Sequence, residues 1–492
     1  MKYIKDKYNL VVIGGGPAGT PVAIEYAKLN PDKNVALVEM AGKLGGECLF
    51  QGCIPSKIMQ ATAKYISSLQ ELSEFGVVLE DKNYQLIWNK VIQRKEDILS
   101  KRTLGAQDVI ESLSNIDFIE AEASFINESA LELKRVDHKD VVEFDKVVIA
   151  TGSRSYIPKY KGDGVDKIWT NSDFFAKMEL PKSLAIIGTG AIAIEFAMML
   201  ASFDVKIYLF ARGKSILNNI DKEASQYLLK ELKNNKNINI LFNADIEIVD
   251  FKDEEFVITY MQNREKKQLK SHRVLSAAGR VANISSLSLN SAGVKFNKNG
   301  IITSKSLETS NANIYANGDV VDGFAKFAHT AQYGAHTIAQ NLFLEHNFFK
   351  MKPEINSWVL FTTPNIMMAG ITEEDAKTRN LDVIIDRFEF SSEAKSQIEN
   401  EDYGYLKYII EKHSNKIIGI SAMHKEAHSL GGEASLIISN HLTLKDIIGS
   451  IHPHPTISEA YVILAKQMMG KIMQEKLNKP AVKALLNIER WL

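Results

Sequence analysis

The sequence predicts an α/β protein in which two βαβ units with glycine-rich turns are followed by a C-terminal α+β region. Three observations predict it. Apolar runs bounded by glycines alternate with longer amphipathic stretches, the pattern of parallel sheet crossed by helices. Two of these units, Asn9 to Glu39 and Ser183 to Arg212, carry a tight glycine turn between strand and helix. From about Ile355 onward, runs such as YLKYIIE and KIIGISAM read as strands among helices.

The first unit reads as strand LVVIG, turn GGGPAG, a helix from about Thr20 to Leu29 and a second strand VALVE. Gly14, Gly16 and Gly19 form G-x-G-x-x-G, and Glu39 stands twenty positions beyond the last of them. Such glycines let the backbone approach a pyrophosphate at the helix N-terminus, and the acid accepts hydrogen bonds from a ribose. Glycine turns are common, so it is the strand, helix and spaced acid together that assign an adenine dinucleotide here.

The second unit offers Gly188, Gly190 and Ala193, a G-x-G-x-x-A variant of the same device, and so predicts a second dinucleotide. Where an acid would hold a ribose 2′-hydroxyl, the chain reads Phe210, Ala211, Arg212, with Lys214 close behind. The missing acid and the local positive charge favour a 2′-phosphate, hence NADP over NAD; a solvated surface arginine is the plain alternative.

Between the two units, Lys57 to Leu72 and Gln85 to Leu113 read as helices, and Asp117 to Val142 as a small antiparallel piece ending in VVIATGS. The stretch from about Ser285 to Leu344 returns to the pattern of the first domain, with IYANGD as a buried strand and turn.

At 492 residues the chain has room for two to four domains. Lys plus Arg total 59 against 60 Asp plus Glu, so no broad basic surface argues for nucleic acid or an anionic membrane, and small-molecule chemistry is the default. The N-terminal run lacks the long apolar stretch of a secretory signal, which points to the cytoplasm. The apolar stretch Ser183 to Ala201 carries Glu195 and the turn residues Gly188, Thr189 and Gly190, so it reads as strand, turn and helix, and no integral membrane segment is expected.

The only two cysteines are Cys48 and Cys53, within Gly45-Gly46-Glu47-Cys48-Leu49-Phe50-Gln51-Gly52-Cys53-Ile54-Pro55-Ser56-Lys57. Five steps along a regular helix separate Cα atoms by about 7.5 Å, beyond disulfide reach, so bridging the pair requires a distorted helical start, which Gly52 makes cheap. A metal site needs about four ligands, and no further Cys or nearby His completes one. Two inert buried thiols are the remaining alternative; the place of the pair, directly after a dinucleotide-binding unit, argues for reactivity.

This segment resembles the redox-active segment of the pyridine nucleotide-disulfide oxidoreductases, class I. It is most like the dihydrolipoamide dehydrogenases, which read GG-x-C-L-N-x-G-C-I-P-S-K. The likeness extends over nearly the whole chain, through Ala150-Thr151-Gly152, the second glycine turn, Ala278-Gly279-Arg280, Gly318-Asp319, Ala328-His329, and His454-Pro455-Thr456 with Glu459. The resemblance implies two Rossmann-like domains, for FAD and for NAD(P), and a C-terminal α+β dimerisation domain. Their implied bounds are 1–155 and 285–354 for the FAD-binding parts, 156–284 for NAD(P), and 355–492 for dimerisation.

By the same resemblance Cys53 lies against the flavin, and Cys48 faces the substrate and forms the mixed disulfide. Lys57 pairs with Glu195 beside the flavin N5. Asp319 holds the FAD ribityl chain, and Thr151, Gly152, Gly279, Gly318 and His329 belong to the cofactor-binding motifs. His454, polarised by Glu459, is the acid/base supplied by the partner subunit of a homodimer. Chemistry makes these roles sensible: a thiolate, not a thiol, attacks sulfur, so a base with a pKa near the working pH is needed. Pro453 and Pro455 fix its loop, and His452 is the runner-up base.

The match has departures. Dihydrolipoamide dehydrogenases usually carry an acid at the position of Ala211, so Arg212 is more like glutathione or mercuric reductases. Yet glutathione reductases usually read P-K-K where this chain has Pro55-Ser56-Lys57. Mercuric reductases use extra C-terminal cysteines that this chain lacks, and soluble transhydrogenases lack one of the paired cysteines. The expected activity is oxidation of dihydrolipoamide, with the lipoyl domains of 2-oxo acid dehydrogenase complexes as partners. The alternatives are an NADPH-dependent reductase of another small disulfide and a slow-turnover flavin redox sensor. The tail from about Gly470 reads as a helix packed on the dimer interface, or else as a helix for a membrane surface or partner.

Overall fold

The computed structural model describes residues 4–78 and 84–478 and divides into two compact units. The first takes in the chain through Ile216 and again Asn235–Pro353; the second takes in Leu217–Asn234 and the chain from Glu354 onward.

The main sheet of the first unit is built on the strand Lys7–Ile13, whose residues Leu10, Val11 and Val12 are fully buried. Such an unbroken apolar run suits a parallel strand covered on both faces. It pairs in parallel with Val35–Glu39 on one side and Lys139–Ile149 on the other. Helix Thr20–Leu29 packs Val22, Ala23 and Ala27 on one face, beside Ala335 and Ile338 of helix Ala328–Leu344; each fully buried Leu, Val or Ile here contributes roughly 1.5–3 kcal/mol. Far along the chain, Ile314–Ala316 returns to pair with Val147–Ile149, so IYA is the buried strand expected from the sequence.

One assignment needs correcting. Ile116–Glu120 is a parallel strand beside Val35–Glu39, not part of the antiparallel piece, which comprises Glu122–Phe125, Ala130–Lys134 and the start of Lys139–Ile149. Its one buried acid, Asp117, accepts hydrogen bonds from Tyr8 Oη (3.2 Å) and Lys5 Nζ (3.0 Å), which makes it tolerable in a core strand.

The second glycine unit forms a four-stranded parallel sheet from Ile238–Phe242, Lys206–Ala211, Ser183–Ile187 and Arg273–Ser276. Inserted in it is an antiparallel sheet of Ala244–Lys252, Glu255–Gln262 and Glu265–Ser271, absent from the sequence reading. Its two hairpins turn on Asp253-Glu254 and Asn263-Arg264, all four with positive φ. That is the two-residue hairpin geometry that normally advertises itself with glycine, and here no glycine marks it.

The second unit centres on a five-stranded antiparallel sheet: Ser357–Leu360, Asn365–Gly370, Ile417–His424, Tyr405–Glu411 and Val383–Glu389. Helices Ala427–Ser439 and Glu459–Leu477 supply Leu430, Ala434, Tyr461 and Leu464 to its core. Lys407, on the strand Tyr405–Glu411, is buried among Asp221, Glu373 and Glu223 at 2.7, 2.6 and 3.5 Å, which fixes the segment Leu217–Asn234 to this unit. No helix among the described residues is long and apolar enough to cross a membrane. The tail reading lies beyond residue 478, outside the described residues, apart from the end of helix Glu459–Leu477.

Candidate active site

The first glycine turn is shaped by contacts that exclude side chains. Gly14 has φ +114°, and a Cβ there would meet the Ala150 carbonyl oxygen at 2.3 Å; on Gly19 it would meet the Gly14 oxygen at 2.0 Å. Gly16 faces Gly46 backbone to backbone, since a Cβ on Gly46 would lie 2.8 Å from the Gly16 Cα. The following helix, Thr20–Leu29, has neither a capping side chain nor an acid in its first turn, whereas Thr170 and Thr372 close full capping boxes elsewhere. Its uncapped, positive dipole end, approached by glycine backbone alone, therefore fits a diphosphate. Glu39 accepts the N–H groups of Gly15 (2.7 Å) and Ala41 (2.9 Å), which fixes its carboxylate beside the turn. Gly318, at φ +77°, packs against Ala18 and brings Asp319 to the same turn.

The second turn repeats the design. Gly188 (φ +123°) lies against the Ala277 carbonyl, the space at Gly190 is open, and Ala193 is fully buried. Helix Ala191–Ala201 likewise lacks a capping side chain and a first-turn acid, so a second diphosphate fits. Arg212 and Lys214 are exposed just past the strand Lys206–Ala211. Burial pushes the nearby Tyr160 phenol up to about 12, while the charge of Arg212 works against that rise. Thr151 Oγ1 donates to the Asn283 carbonyl at 2.7 Å, and Gly152 and Gly279 hold φ of +68° and +132°. His329 stacks on Phe327 with centroids 5.3 Å apart.

The cysteine segment is two helices separated by Gln51 and Gly52. Gly46–Phe50 ends before Gln51, Gly52 takes φ −141° and ψ −105°, and a new helix starts at Cys53 and runs to Glu71. The interruption falls between the two sulfurs, where a continuous helix would hold them apart. Ser56 Oγ caps the break by donating to the Gly52 carbonyl at 2.7 Å. Both cysteines are free, Cys48 half-buried and Cys53 exposed. The Cys48 thiol donates a hydrogen bond to the Cys53 sulfur, and this bond together with burial pushes Cys48 up. The same bond, followed by the charge of Lys57, holds Cys53 below the ordinary thiol range. Lys57 Nζ meets Glu195 Oε2 at 2.8 Å, and Gln60 Nε2 donates to the same oxygen at 3.1 Å.

A network absent from the sequence reading surrounds this segment. Arg280, most of it buried, pairs with Glu47, its Nη1 2.8 Å from Oε1 and its Nη2 on Oε2. Arg280 Nε donates to Ser153 Oγ at 2.8 Å, and Ser153 Oγ donates in turn to Asp319 at 2.6 Å. Asn171 donates to Glu47 (3.0 Å) and to the Gln51 carbonyl (2.6 Å). Glu47, just before Cys48, and Gln51, at the helix break, are thus tied through Asn171 and Arg280 to the loop that carries Asp319. Arg280 stands in the motif Ala278-Gly279-Arg280, which by itself gives it no role, and nothing local marks Glu47, whose partner lies 233 positions away.

The second unit holds the other expected pair. His454 Nδ1 lies 3.0 and 3.1 Å from the two Glu459 oxygens, and its ring is 72% exposed. Burial pushes Glu459 up, but the Thr456 N–H and the His454 imidazole outweigh it and hold the carboxylate below its usual range. His452 differs: its side chain is 7% exposed and its Nε2 is bonded to Glu433 at 2.8 Å, so the runner-up base is the less accessible ring.

Residues 8–335 match the family model of pyridine nucleotide-disulphide oxidoreductases, and 356–465 match the dimerisation domain of the same family. Dihydrolipoyl dehydrogenase from Buchnera aphidicola (Acyrthosiphon pisum) is 32% identical over 477 residues, 96% of this chain and 98% of that protein. The Bacillus subtilis dihydrolipoyl dehydrogenase is 30% identical over 468 residues, 94% of this chain and 96% of that one. Among solved structures, the Cu(II) complex of the HOCl-induced flavoprotein disulfide reductase RclA from Escherichia coli superposes with a TM-score of 0.82 at 24% identity, covering 94% of this chain and 100% of that one.

Proposed function

Since the chain belongs to the pyridine nucleotide-disulphide oxidoreductase family, which binds FAD and uses NAD(P), we propose that it is a homodimeric dihydrolipoyl dehydrogenase-type enzyme. It moves two electrons between a dithiol or disulfide and a nicotinamide, in a reducing cytoplasmic setting. The observation that carries the proposal is the thiol pair itself: Cys48 and Cys53 on either side of a helix break at Gln51 and Gly52, with Lys57 on the helix that begins at Cys53 held by Glu195 at 2.8 Å.

In the oxidising direction a substrate thiolate attacks Cys48 in the Cys48–Cys53 disulfide. The sulfur–sulfur bond breaks and Cys53 leaves as thiolate, the better leaving group because its pKa is lower. His454, oriented by Glu459, takes the proton of the second substrate thiol, which closes the substrate disulfide and expels Cys48; the proton then returns to Cys48. FAD, when bound, carries the electron pair between the cysteines and the nicotinamide. The glycine turns with Glu39, Asp319, Gly318, Thr151, Gly152, Gly279 and His329 hold the cofactors, and Lys57 with Glu195 orders the helix that begins at Cys53. That His454 comes from the partner subunit is carried over from the family.

Arg212 and Lys214 support NADP as the nicotinamide, and with it a second reading: an NADPH-dependent reductase of another small disulfide. The E. coli structural neighbour is described as a flavoprotein disulfide reductase. Steady-state assay of the purified protein with dihydrolipoamide, glutathione disulfide, NAD(H) and NADP(H) separates the two. Turnover of dihydrolipoamide well above that of other thiols supports the first; NADPH-driven reduction of a different disulfide supports the second.

A further inference from the structure

The loop that carries His454 has few anchors of its own. Ser450 closes the preceding turn, its N–H on the Ile447 carbonyl (3.1 Å) and its Oγ on Asp446 O (3.0 Å). Thr456 begins the next, its N–H on Glu459 Oε2 (3.1 Å) and its Oγ1 on the Pro453 carbonyl (2.7 Å). Between them Pro453 and Pro455 have no N–H to give. Among the described residues, the N–H groups of Ile451, His452 and His454 make no backbone hydrogen bond. The side chain of His452 is what ties this span to the core of the unit, through Nε2 to Glu433 on helix Ala427–Ser439.

The other nitrogen of that ring, Nδ1, is buried with no hydrogen-bond partner. A carboxylate only accepts, so the proton sits on Nε2. Two imidazole–carboxylate pairs thus clamp one proline-bound loop to two helices. The His454 ring, paired with Glu459 on helix Glu459–Leu477, is exposed and can meet a substrate; the His452 ring is buried and cannot.

We propose that His452 and Glu433 are positioning residues for the His454–Glu459 pair: the His452 ring, pinned to Glu433, sets where the His454 imidazole stands. The proposal rests on the acid/base role given to His454 above. Displacing a reacting group by about 1 Å costs on the order of a hundredfold in rate.

Glu433→Ala should therefore slow the thiol half-reaction, followed by stopped flow on the FAD-loaded dimer with dihydrolipoamide, by about tenfold to a hundredfold through kcat and not KM. Glu433→Gln keeps an acceptor for the Nε2–H and should recover most of that rate. Reduction by nicotinamide should be unchanged in both. The decisive comparison is the double variant Glu433→Ala/His454→Gln: if Glu433 acts through His454, it is no slower than His454→Gln alone. Independent, multiplying losses overturn the proposal, as does a Glu433→Ala thiol rate within twofold of wild type, an equal fall in the nicotinamide half-reaction, or failure of Glu433→Gln to recover. If His454→Gln itself leaves the thiol half-reaction intact, it is the acid/base reading that fails, whatever Glu433→Ala does.

Discussion

Lys57 and Glu195, 138 positions apart in the chain, meet at 2.8 Å and join the helix that begins at Cys53 to the helix that opens on the second glycine turn. Their charges act on Cys53 with opposite sign: Lys57 favours its thiolate and Glu195 opposes it.

The pair can therefore be tested by pH. Lys57→Met removes a positive charge and should raise the pKa of Cys53, so its thiolate is lost as pH falls through a higher value than in wild type. Glu195→Gln should move it the other way. Cys48→Ala removes the hydrogen bond that is the largest cause of the depression and should raise it as well. Iodoacetamide labelling of the reduced protein against pH, read by mass spectrometry on the Cys53 peptide, gives all three. A rise in Glu195→Gln would mean that the pair acts on Cys53 through structure and not charge.

The two sulfurs should also differ optically in the FAD-loaded protein. If Cys53 is the sulfur that lies against the flavin, as the family resemblance implies, the two-electron-reduced enzyme should show a long-wavelength thiolate-to-flavin band. Cys53→Ser should abolish the band, and Cys48→Ser, which leaves Cys53 without a disulfide partner, should make it permanent. Like behaviour of the two variants would reverse or void the assignment.

For the nicotinamide, NADPH should reduce the bound flavin in preference to NADH, because Ala211 offers no acceptor for a 2′-hydroxyl while Arg212 and Lys214 stand exposed beside it. Arg212→Ala should narrow the preference by weakening NADPH and leaving NADH alone. Stopped-flow reduction by each nucleotide decides it, and a clear NADH preference in the wild type defeats the claim.

Stability of the second unit should depend on Lys407, whose side chain is 7% exposed against 8% for Asp221. Removing one partner of a buried pair strands the other charge, at a cost of about 3–5 kcal/mol. Lys407→Met should thus lower the melting temperature by several degrees, and adding Asp221→Asn should restore part of it. Equal melting of wild type and Lys407→Met would show the network to be energetically idle.

What the sequence reveals of this molecule follows from whether the signal is local. The glycine turns are legible because Gly14 and Gly188 must hold positive φ against a carbonyl, a demand met within one βαβ unit. The cysteine pair is legible because Gly52 stands between the sulfurs. The hairpins at Asp253-Glu254 and Asn263-Arg264 escape because positive φ is reached there without glycine. Glu47–Arg280 and His452–Glu433 escape for another reason: each side chain is ordinary on its own, and only the fold brings its partner within reach.

The remaining prediction concerns His454, whose exposed ring and tether to Glu459 suit it to exchange protons with a substrate and not to pack a core. His454→Gln keeps a hydrogen-bonding side chain but removes proton exchange, and a general acid/base typically supplies about a hundred- to ten-thousandfold in rate. Turnover with any dithiol or disulfide should fall by that order, while flavin reduction by nicotinamide stays within a small factor, because the histidine serves sulfur and not hydride. Glu459→Gln should cost less, since it orients and charges the ring without carrying the proton. Because Glu459 is held below its usual range, its charge, and the orientation it gives, should persist as pH falls until that lowered value is crossed. Mixing His454→Gln protein with Cys48→Ser protein then asks which chain the histidine serves. If it acts across a dimer interface, one site of each heterodimer pairs wild-type cysteines with wild-type histidine, and activity returns in part. No recovery despite demonstrated subunit exchange would place His454 in its own chain's site, or the base elsewhere.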